Sequence, residues 1–431
     1  MTTGPRRDDR DDDADIVTSA RELVGGVGWR TPSERARTSG LSRREFMRES
    51  GLASLAAAGV GSTAGCLGGG GGSPTAEVGY LPITDAAPLL TGYANDHFGD
   101  HGVDAAEPTL FRGWSDLSEA FLSGSVNVAH FLMPMTVWMR YGDLDANVQV
   151  VAWDHTDGSA LTVAPDVETW DDLGGRTVAV PFWYSIHNVI LQMGLREHGL
   201  TARTGESSGA LADDEVNLVV TPPPDMPAAL ANGSIGGYIV AEPFNAIGEL
   251  EADANILRFT GDVWRQHACC VVVMREELLN DHPEWATNVL RGIVDAQGWL
   301  RENRSAAAQL LSTADTGLLP QGPEPIDRAL THYDSHEPYL ESGAIQHDWE
   351  GERIGFYPYP YRSYTEELVR RLKETDVEGD AAFVDDLSPG EVADDLVTYD
   401  PIRTALNDAG GPPAFDVPED NGYERTEQIQ F

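Results

Sequence analysis

Thr177-Val178-Ala179-Val180-Pro181-Phe182-Trp183-Tyr184-Ser185-Ile186-His187-Asn188-Val189-Ile190-Leu191 decides the fold class. Its opening run is short, apolar and β-rich, the pattern of a buried strand. From residue 185 the pattern becomes helical and continues to residue 198, while Asp172-Leu173-Gly174-Gly175-Arg176 makes a tight turn in front. The same order repeats on both sides. Upstream, strands are predicted at 77–80, 107–111, 126–132, 148–153 and 160–163, with helices at 86–97, 115–123 and 135–141. Downstream, strands at 215–220, 237–240, 256–259 and 268–274 alternate with helices at 224–232 and 242–250. Alternating strands and helices specify an α/β fold. The two series are similar in size, so we expect two lobes with a cleft between them, the last strand returning the chain to the first lobe. Ligands in such sheets bind at carboxyl ends of strands and at helix N-termini.

These patterns divide the chain into lobe 1 (76–165 and 265–375), lobe 2 (166–264) and an acidic C-terminal extension (376–431). Lobe 1 is completed by helices at 283–303, 305–311, 325–333 and 364–374, around an aromatic, Pro-rich turn at 355–361. Short helices are expected at 389–396 and 401–408.

The 431 residues carry 29 Lys+Arg against 70 Asp+Glu, a formal net charge of −41. Such a surface repels phosphate, which excludes nucleic acid as a partner. Lys373 is the one lysine. A carboxylate-rich, Lys-poor surface holds water when salt screens charge, so the composition reads as halophilic. The 41% apolar content suffices for a large core. No apolar run reaches the length of a membrane-spanning helix.

Residues 1–65 read as an export leader. Ser42-Arg43-Arg44-Glu45-Phe46-Met47 precedes a Gly- and Ala-rich apolar stretch at 51–64. That is the pattern of a twin-arginine export signal, with Arg43 and Arg44 as the recognised pair. Thr63-Ala64-Gly65-Cys66 resembles the lipobox of prokaryotic lipoproteins, which implies lipidation of Cys66. Residues 66–75 are then a Gly-rich tether, and two acyl chains on one Cys give stable anchoring to a membrane. The other cysteines, Cys269 and Cys270, are adjacent, and a disulfide between them needs strained geometry. With His267 they form an H-x-C-C cluster. Neighbouring strand residues point to opposite faces, so we expect small buried strand residues and no metal.

Eight further segments, taken in order, carry a resemblance. They are Gly79-Tyr80-Leu81-Pro82-Ile83-Thr84-Asp85-Ala86-Ala87-Pro88-Leu89, Phe111-Arg112-Gly113-Trp114, Ala129-His130-Phe131-Leu132-Met133-Pro134-Met135, the 178–188 segment, Thr221-Pro222-Pro223-Pro224-Asp225-Met226, Gly237-Tyr238-Ile239-Val240-Ala241-Glu242-Pro243-Phe244-Asn245, Trp264-Arg265-Gln266-His267-Ala268-Cys269-Cys270 and Phe356-Tyr357-Pro358-Tyr359-Pro360-Tyr361. In order and spacing the chain resembles the nitrate/bicarbonate-binding proteins of ABC importers, within the nitrate/sulfonate/taurine group. The resemblance implies a two-lobed periplasmic-binding-protein fold of type 2 that closes on a small anion or compact polar solute. It further implies a permease and an ATPase as partners, and no cofactor.

The resemblance also implies site residues. His187 matches the family's ligand-binding histidine, and its place at a helix N-terminus favours an anion. Ser185 either caps that helix or meets the ligand. Trp114 matches a ligand-contacting tryptophan, although a core tryptophan reads equally well. Thr84 and Asp85 lie on the first strand–helix loop, where Asp85 suits a helix cap better than a ligand contact. The loop of Glu242 lies at the family's cleft. In Gly158-Ser159-Ala160-Leu161-Thr162 the chain has Ser159 where nitrate and bicarbonate binders carry Gln, which makes the pocket larger or wetter. Arg265 is the nearest cation to the 267–270 segment, with its direction open. No nucleophile elbow, phosphate loop or HExxH motif is present, so no enzyme is expected. The alternatives are a pyrimidine-precursor binder or a surface sensor on the same fold.

Overall fold

The computed structural model describes residues 73–205, 210–347, 352–418 and 423–431. The leader with Arg43 and Arg44, and the lipidation residue Cys66, lie outside the described residues.

The chain starts with strands β1 (Val78–Tyr80), β2 (Thr109–Leu110), β3 (Val128–Leu132) and β4 (Val148–Trp153). It crosses over through β5 (Thr156–Asp157) and enters a second sheet at β6 (Ser159–Val163). There follow β7 (Thr177–Val180), β8 (Thr201–Arg203), β9 (Glu215–Val220), β10 (Gly237–Ala241) and β11 (Asn255–Phe259). Strand β12 (Cys270–Arg275) then returns to the first sheet, and β13 (Ile354–Gly355) comes late in the chain. The first sheet has the order β2-β1-β3-β12-β4, the second β11-β6-β10-β7-β9-β8, and β13 pairs with β5. Half of the neighbouring pairs run parallel; β12 is antiparallel to both β3 and β4, β6 to both β10 and β11, and β13 to β5. β12 reads Cys-Val-Val-Val-Met-Arg with five of its six residues buried, as a strand in the middle of a covered sheet requires.

Several expected boundaries move for local reasons. The 107–111 strand shrinks to the exposed edge β2, which pairs with β1. The expected helix at 86–97 divides into Ala87–Ala94 and His97–Asp100, broken where Asp96 takes a left-handed φ of 60°. Strand β8 was not foreseen, because Thr201-Ala202-Arg203 is a half-exposed edge without an apolar signal. The 268–274 strand begins two residues later, at Cys270, and this shift matters at the site.

The acidic extension is folded. Helices Pro389–Leu396 and Asp400–Asp408 pack beside β4, and Val397 bridges Val150. Gln149 donates to the Asp395 carbonyl at 2.8 Å and accepts from Thr398 Oγ1 at 2.8 Å. The extension thus covers an edge strand that would otherwise expose unpaired backbone groups. Among the described residues no helix is long and apolar enough to cross a membrane.

The crossovers are tied down. Asp157 (φ 58°) and Gly158 (φ 74°) turn the chain from β5 into β6 through left-handed conformations. A Cβ on Gly158 would meet Ile354 at 3.0 Å and His155 Nδ1 at 3.2 Å. The Gln297 amide donates to the carbonyls of Trp153 and Asp154 from beneath.

Candidate functional site

The loops after β1, β4, β7 and β10, with the first residues of β6 and β12, bring a set of polar side chains into the interior. Thr84, Asp85, His130, Asp154, His155, Thr156 and Ser185 are fully buried, and Ser159, His187 and Glu242 nearly so. Burying that many polar groups is costly unless each finds a partner. Several do not. Thr84 Oγ1, Asp85 Oδ1, Trp114 Nε1, His130 Nδ1, His155 Nδ1, His187 Nδ1 and both Asp154 oxygens are buried without a hydrogen bond.

The expected residues take distinct places. Ser185 is the N-cap of the helix Ile186–Glu197, its hydroxyl accepting from the Asn188 N–H at 3.1 Å. Of the two readings, the geometry supplies the cap. His187 is the second residue of that helix. Its Nε2 lies 2.9 Å from Ser159 Oγ and 3.7 Å from Cys269 Sγ. Ser159 therefore anchors His187. Trp114 begins the helix Trp114–Ser123, one residue before the expected start, and packs at 5.5 Å on the His130 ring.

Thr84 and Asp85 form the 3-10 turn after β1, and the Thr84 N–H reaches across to the Glu242 carbonyl at 2.8 Å. Asp85 makes no cap hydrogen bond, contrary to the expectation. Its Oδ2 instead lies 2.8 Å from His155 Nε2 and accepts from the Cys270 thiol at 3.4 Å. Glu242 folds back: one carboxylate oxygen accepts from Asn245 Nδ2 at 2.9 Å and the other from the Ala246 N–H at 3.2 Å. Arg265 turns to the C-terminal segment, where its guanidinium donates to Gln428 at 3.0 Å.

Five further residues complete the network: His130, Asp154 and His155, to which the sequence reading gave no role, and Cys269 and Cys270. His130 Nε2 accepts the Leu81 N–H at 2.9 Å, which puts its proton on Nδ1, facing Asp154 at 3.5 Å. His155 and Asp154 sit in the crossover between the strands expected at 148–153 and 160–163. The signal was there: Asp154-His155-Thr156-Asp157 is a run of polar residues between two apolar strands, too short to reach the surface and return. Cys269 and Cys270 are the other correction. Cys269 precedes β12 in a bend, so strand alternation does not govern it. One donor atom each from Asp85, His155, Cys269 and Cys270 lies within 4.8 Å of the others.

The electrostatics follow from burial. Desolvation pushes the Asp85 carboxyl up to about 6 although His155 opposes it, and raises Asp154 and Glu242, the latter to about 8. Burial also works against a charged His155, but the Asp85 carboxylate and the Cys269 sulfur outweigh it and hold the imidazole above its usual range. Of the two thiols Cys269 is the readier to ionise: against the cost of burial, the Cys270 S–H, His187 and His155 all favour its thiolate. Cys270 is pushed up by burial and by that neighbouring sulfur. A polar surface hollow bordered by Asp295, Arg301 and Glu302 shares none of these groups.

Comparison with known proteins places the arrangement. Residues 69–312, more than half of the chain, match the NMT1-like family. The chain is 26% identical over 250 residues to the nitrate/nitrite binding protein NrtA of Nostoc sp., an alignment covering 55% of this chain and 57% of that protein. The chain thus spans a little over half the length of that relative. Among solved structures, the periplasmic nitrate-binding protein NrtA from Synechocystis superposes with a TM-score of 0.65 at 19% identity, covering 83% of this chain and 94% of that one. The zinc-bound ligand-binding component of an ABC-type import system from Staphylococcus aureus gives 0.59 at 21% identity, with 77% and 98% covered. The fold is that of the two-lobed periplasmic binding proteins.

Proposed function

The chain belongs to the NMT1-like family, and from that premise we propose that it is the extracytoplasmic solute-binding component of an ABC importer. Its solute is a small anion or compact polar molecule of the nitrate, bicarbonate or sulfonate class. It works with a permease and an ATPase, and as a binding protein rather than an enzyme. In this reading residues 76–165 and 265–375 form lobe 1, 166–264 form lobe 2, and Cys66 carries the lipid that holds the protein at the cell surface after twin-arginine export.

The observation that carries the reading is the set of buried polar atoms without partners. Trp114 Nε1 and Thr84 Oγ1 come from the first sheet's loops, and His187 Nδ1 from the second. The indole offers only a donor, while the hydroxyl and the imidazole can each supply one. His187 stands at a helix N-terminus, whose dipole favours negative charge. Donors from the two sheets give closure its driving force, because a solute gains its full set of bonds only when both are present. Global negative charge does not prevent this, since molar salt screens the long-range field and leaves short hydrogen bonds in place.

A thermal-shift screen of nitrate, nitrite, bicarbonate and short alkanesulfonates in molar potassium chloride tests the proposal. A solute that binds the folded state raises the melting temperature by mass action. At least one oxyanion is expected to do so in a concentration-dependent way. No shift from any of them at millimolar concentration would remove this solute class.

A further inference from the structure

We infer that Asp85, His155, Cys269 and Cys270 form a four-coordinate zinc site that fastens both crossovers between the sheets to the first loop of lobe 1. This goes beyond the solute reading and does not depend on it.

The geometry comes first. All four side chains are fully buried, and their donor atoms lie within 4.8 Å of one another. Tetrahedral zinc, with bonds of ~2.0–2.3 Å to nitrogen, oxygen and sulfur, needs donor–donor edges of roughly 3.3–3.8 Å. Asp85 Oδ2 to Cys270 Sγ, at 3.4 Å, already has that spacing. Asp85 Oδ2 to His155 Nε2, at 2.8 Å, has to open by about half an ångström.

A second observation points to a cation between these groups. His155 Nε2 receives the Cys270 N–H at 3.2 Å and also faces the Asp85 carboxylate at 2.8 Å. The close Asp85–His155 approach takes either a proton on Nε2 or a metal ion between the two atoms; an ion bound at Nε2 takes its one lone pair and releases the Cys270 N–H, and the zinc titration separates the two cases. Asp85 Oδ1 is also buried and unpartnered, leaving the carboxylate free to rotate onto an ion.

The donor set selects the ion. Two sulfurs argue against magnesium, calcium and manganese, while a carboxylate and an imidazole beside them suit zinc better than copper(I), which favours an all-sulfur set. The sulfur of Cys269 has outer partners in place, with His187 Nε2 at 3.7 Å and Ser159 Oγ at 3.8 Å. Such contacts orient a metal-bound thiolate. With four protein ligands the site is closed, which is the pattern of structural rather than catalytic zinc. Coordination displaces thiol protons to solvent, so uptake releases protons.

The ligands lie at three points of the chain. Asp85 is on the loop after β1, His155 on the outward crossover after β4, and Cys269 and Cys270 on the returning one. An ion held by all three limits how the crossovers flex, directly beside His187.

The test uses the full chain, reduced with a phosphine and stripped by chelator, in molar salt. Zinc is titrated against a chromogenic chelator, and cobalt(II) serves as a spectroscopic stand-in. One zinc per chain is expected, and the cobalt form should show tetrahedral ligand-field bands with thiolate-to-metal charge transfer. The Cys269→Ser/Cys270→Ser double variant should lose the charge-transfer band and weaken zinc binding by about a hundredfold or more. Asp85→Asn should keep the band and weaken binding less. Substoichiometric zinc in reduced, folded wild-type protein overturns the inference. So does a cobalt spectrum without thiolate charge transfer, or copper(I) bound by sulfur alone in X-ray absorption. Because wild-type protein suffices for these readouts, a variant that fails to fold does not shield the inference. Because the probe is the metal alone, the outcome is separate from whether an oxyanion binds.

Discussion

Glu242 shows what a single buried residue does here. It is 2% exposed, and both carboxylate oxygens are held at the start of the helix Phe244–Glu251. Burial raises its pKa to about 8, against the lowering effect of those hydrogen bonds. The folded state therefore holds this proton more tightly than the unfolded chain does. The resulting stabilisation is whole below a pH of about 4.5 and is lost as pH climbs through about 8. Asp85 and Asp154, also raised by burial, act in the same sense. Glu242→Gln should flatten the fall in melting temperature across this window by its own share. Identical pH profiles for wild type and variant, measured in constant salt, would show that the proton on Glu242 does not couple to folding.

The residue scale also shows what the sequence could not convey. The position of His187 just inside a helix start was legible, because a strand and a helix cap are local patterns. Thr84 was placed on the first strand–helix loop by pattern, where the structure has it, while a binding role for His187 and Trp114 came from the resemblance alone. Asp154, His155, Cys269 and Cys270 were not legible, because their meaning lies in contacts between segments that are far apart along the chain. His155 meets the Cys270 N–H over 115 positions, and Cys270 meets Asp85 over 185. No local period encodes such a meeting. The rule that adjacent strand residues face opposite ways failed at Cys269 because the strand starts one residue later.

At the scale of elements, the strand–helix alternation was readable because β3, β7, β10 and β12 are apolar runs flanked by turn signals. The edges were the weak point: β8 escaped for want of an apolar signal, and the strand expected at 107–111 shrinks to the two exposed residues of β2. Packing between elements is tight where the site is built. The helix Trp114–Ser123, which presents Trp114, rides so close over β1 that a Cβ on Gly79 would stand 2.6 Å from Leu117 Cδ1. Gly79→Val should therefore push the helix away and destabilise the fold by about 1–3 kcal/mol. Weaker solute binding should accompany this, since Trp114 moves with the helix. Denaturant unfolding in molar salt checks the first effect. An unchanged midpoint would mean that Leu117 can rotate aside at no cost.

For the whole molecule the dominant fact is charge. The ten Arg of residues 1–65 balance ten carboxylates, so the entire excess of 41 negative charges falls on residues 66–431. Screening extends over ~10 Å at 0.1 M salt but ~30 Å at 0.01 M, where like charges repel across the whole surface. The midpoint of thermal unfolding should fall steeply between molar and millimolar salt. A melt that ignores this change would refute the halophilic reading.

Location is a property of the whole chain as well. Cys66→Ser should leave an exported but unanchored protein, found in the soluble fraction. Replacing Arg43 and Arg44 together with Lys should block export, because a receptor reads the pair and retained charge does not substitute for it. Membrane fractionation separates the outcomes: a Cys66→Ser protein that still sediments with membranes contradicts the lipid anchor.

The central claim is that an oxyanion is held by donors from both sheets, with His187 and Trp114 touching it. Titration calorimetry in molar salt, with the best solute from the melting screen, addresses this most directly. Each charge-assisted hydrogen bond contributes roughly 1.5–3 kcal/mol, so His187→Ala and Trp114→Ala should each weaken binding by about tenfold to a hundredfold. Both variants should remain folded by circular dichroism. Wild-type affinity in both variants would contradict the account and place the solute somewhere other than between these loops.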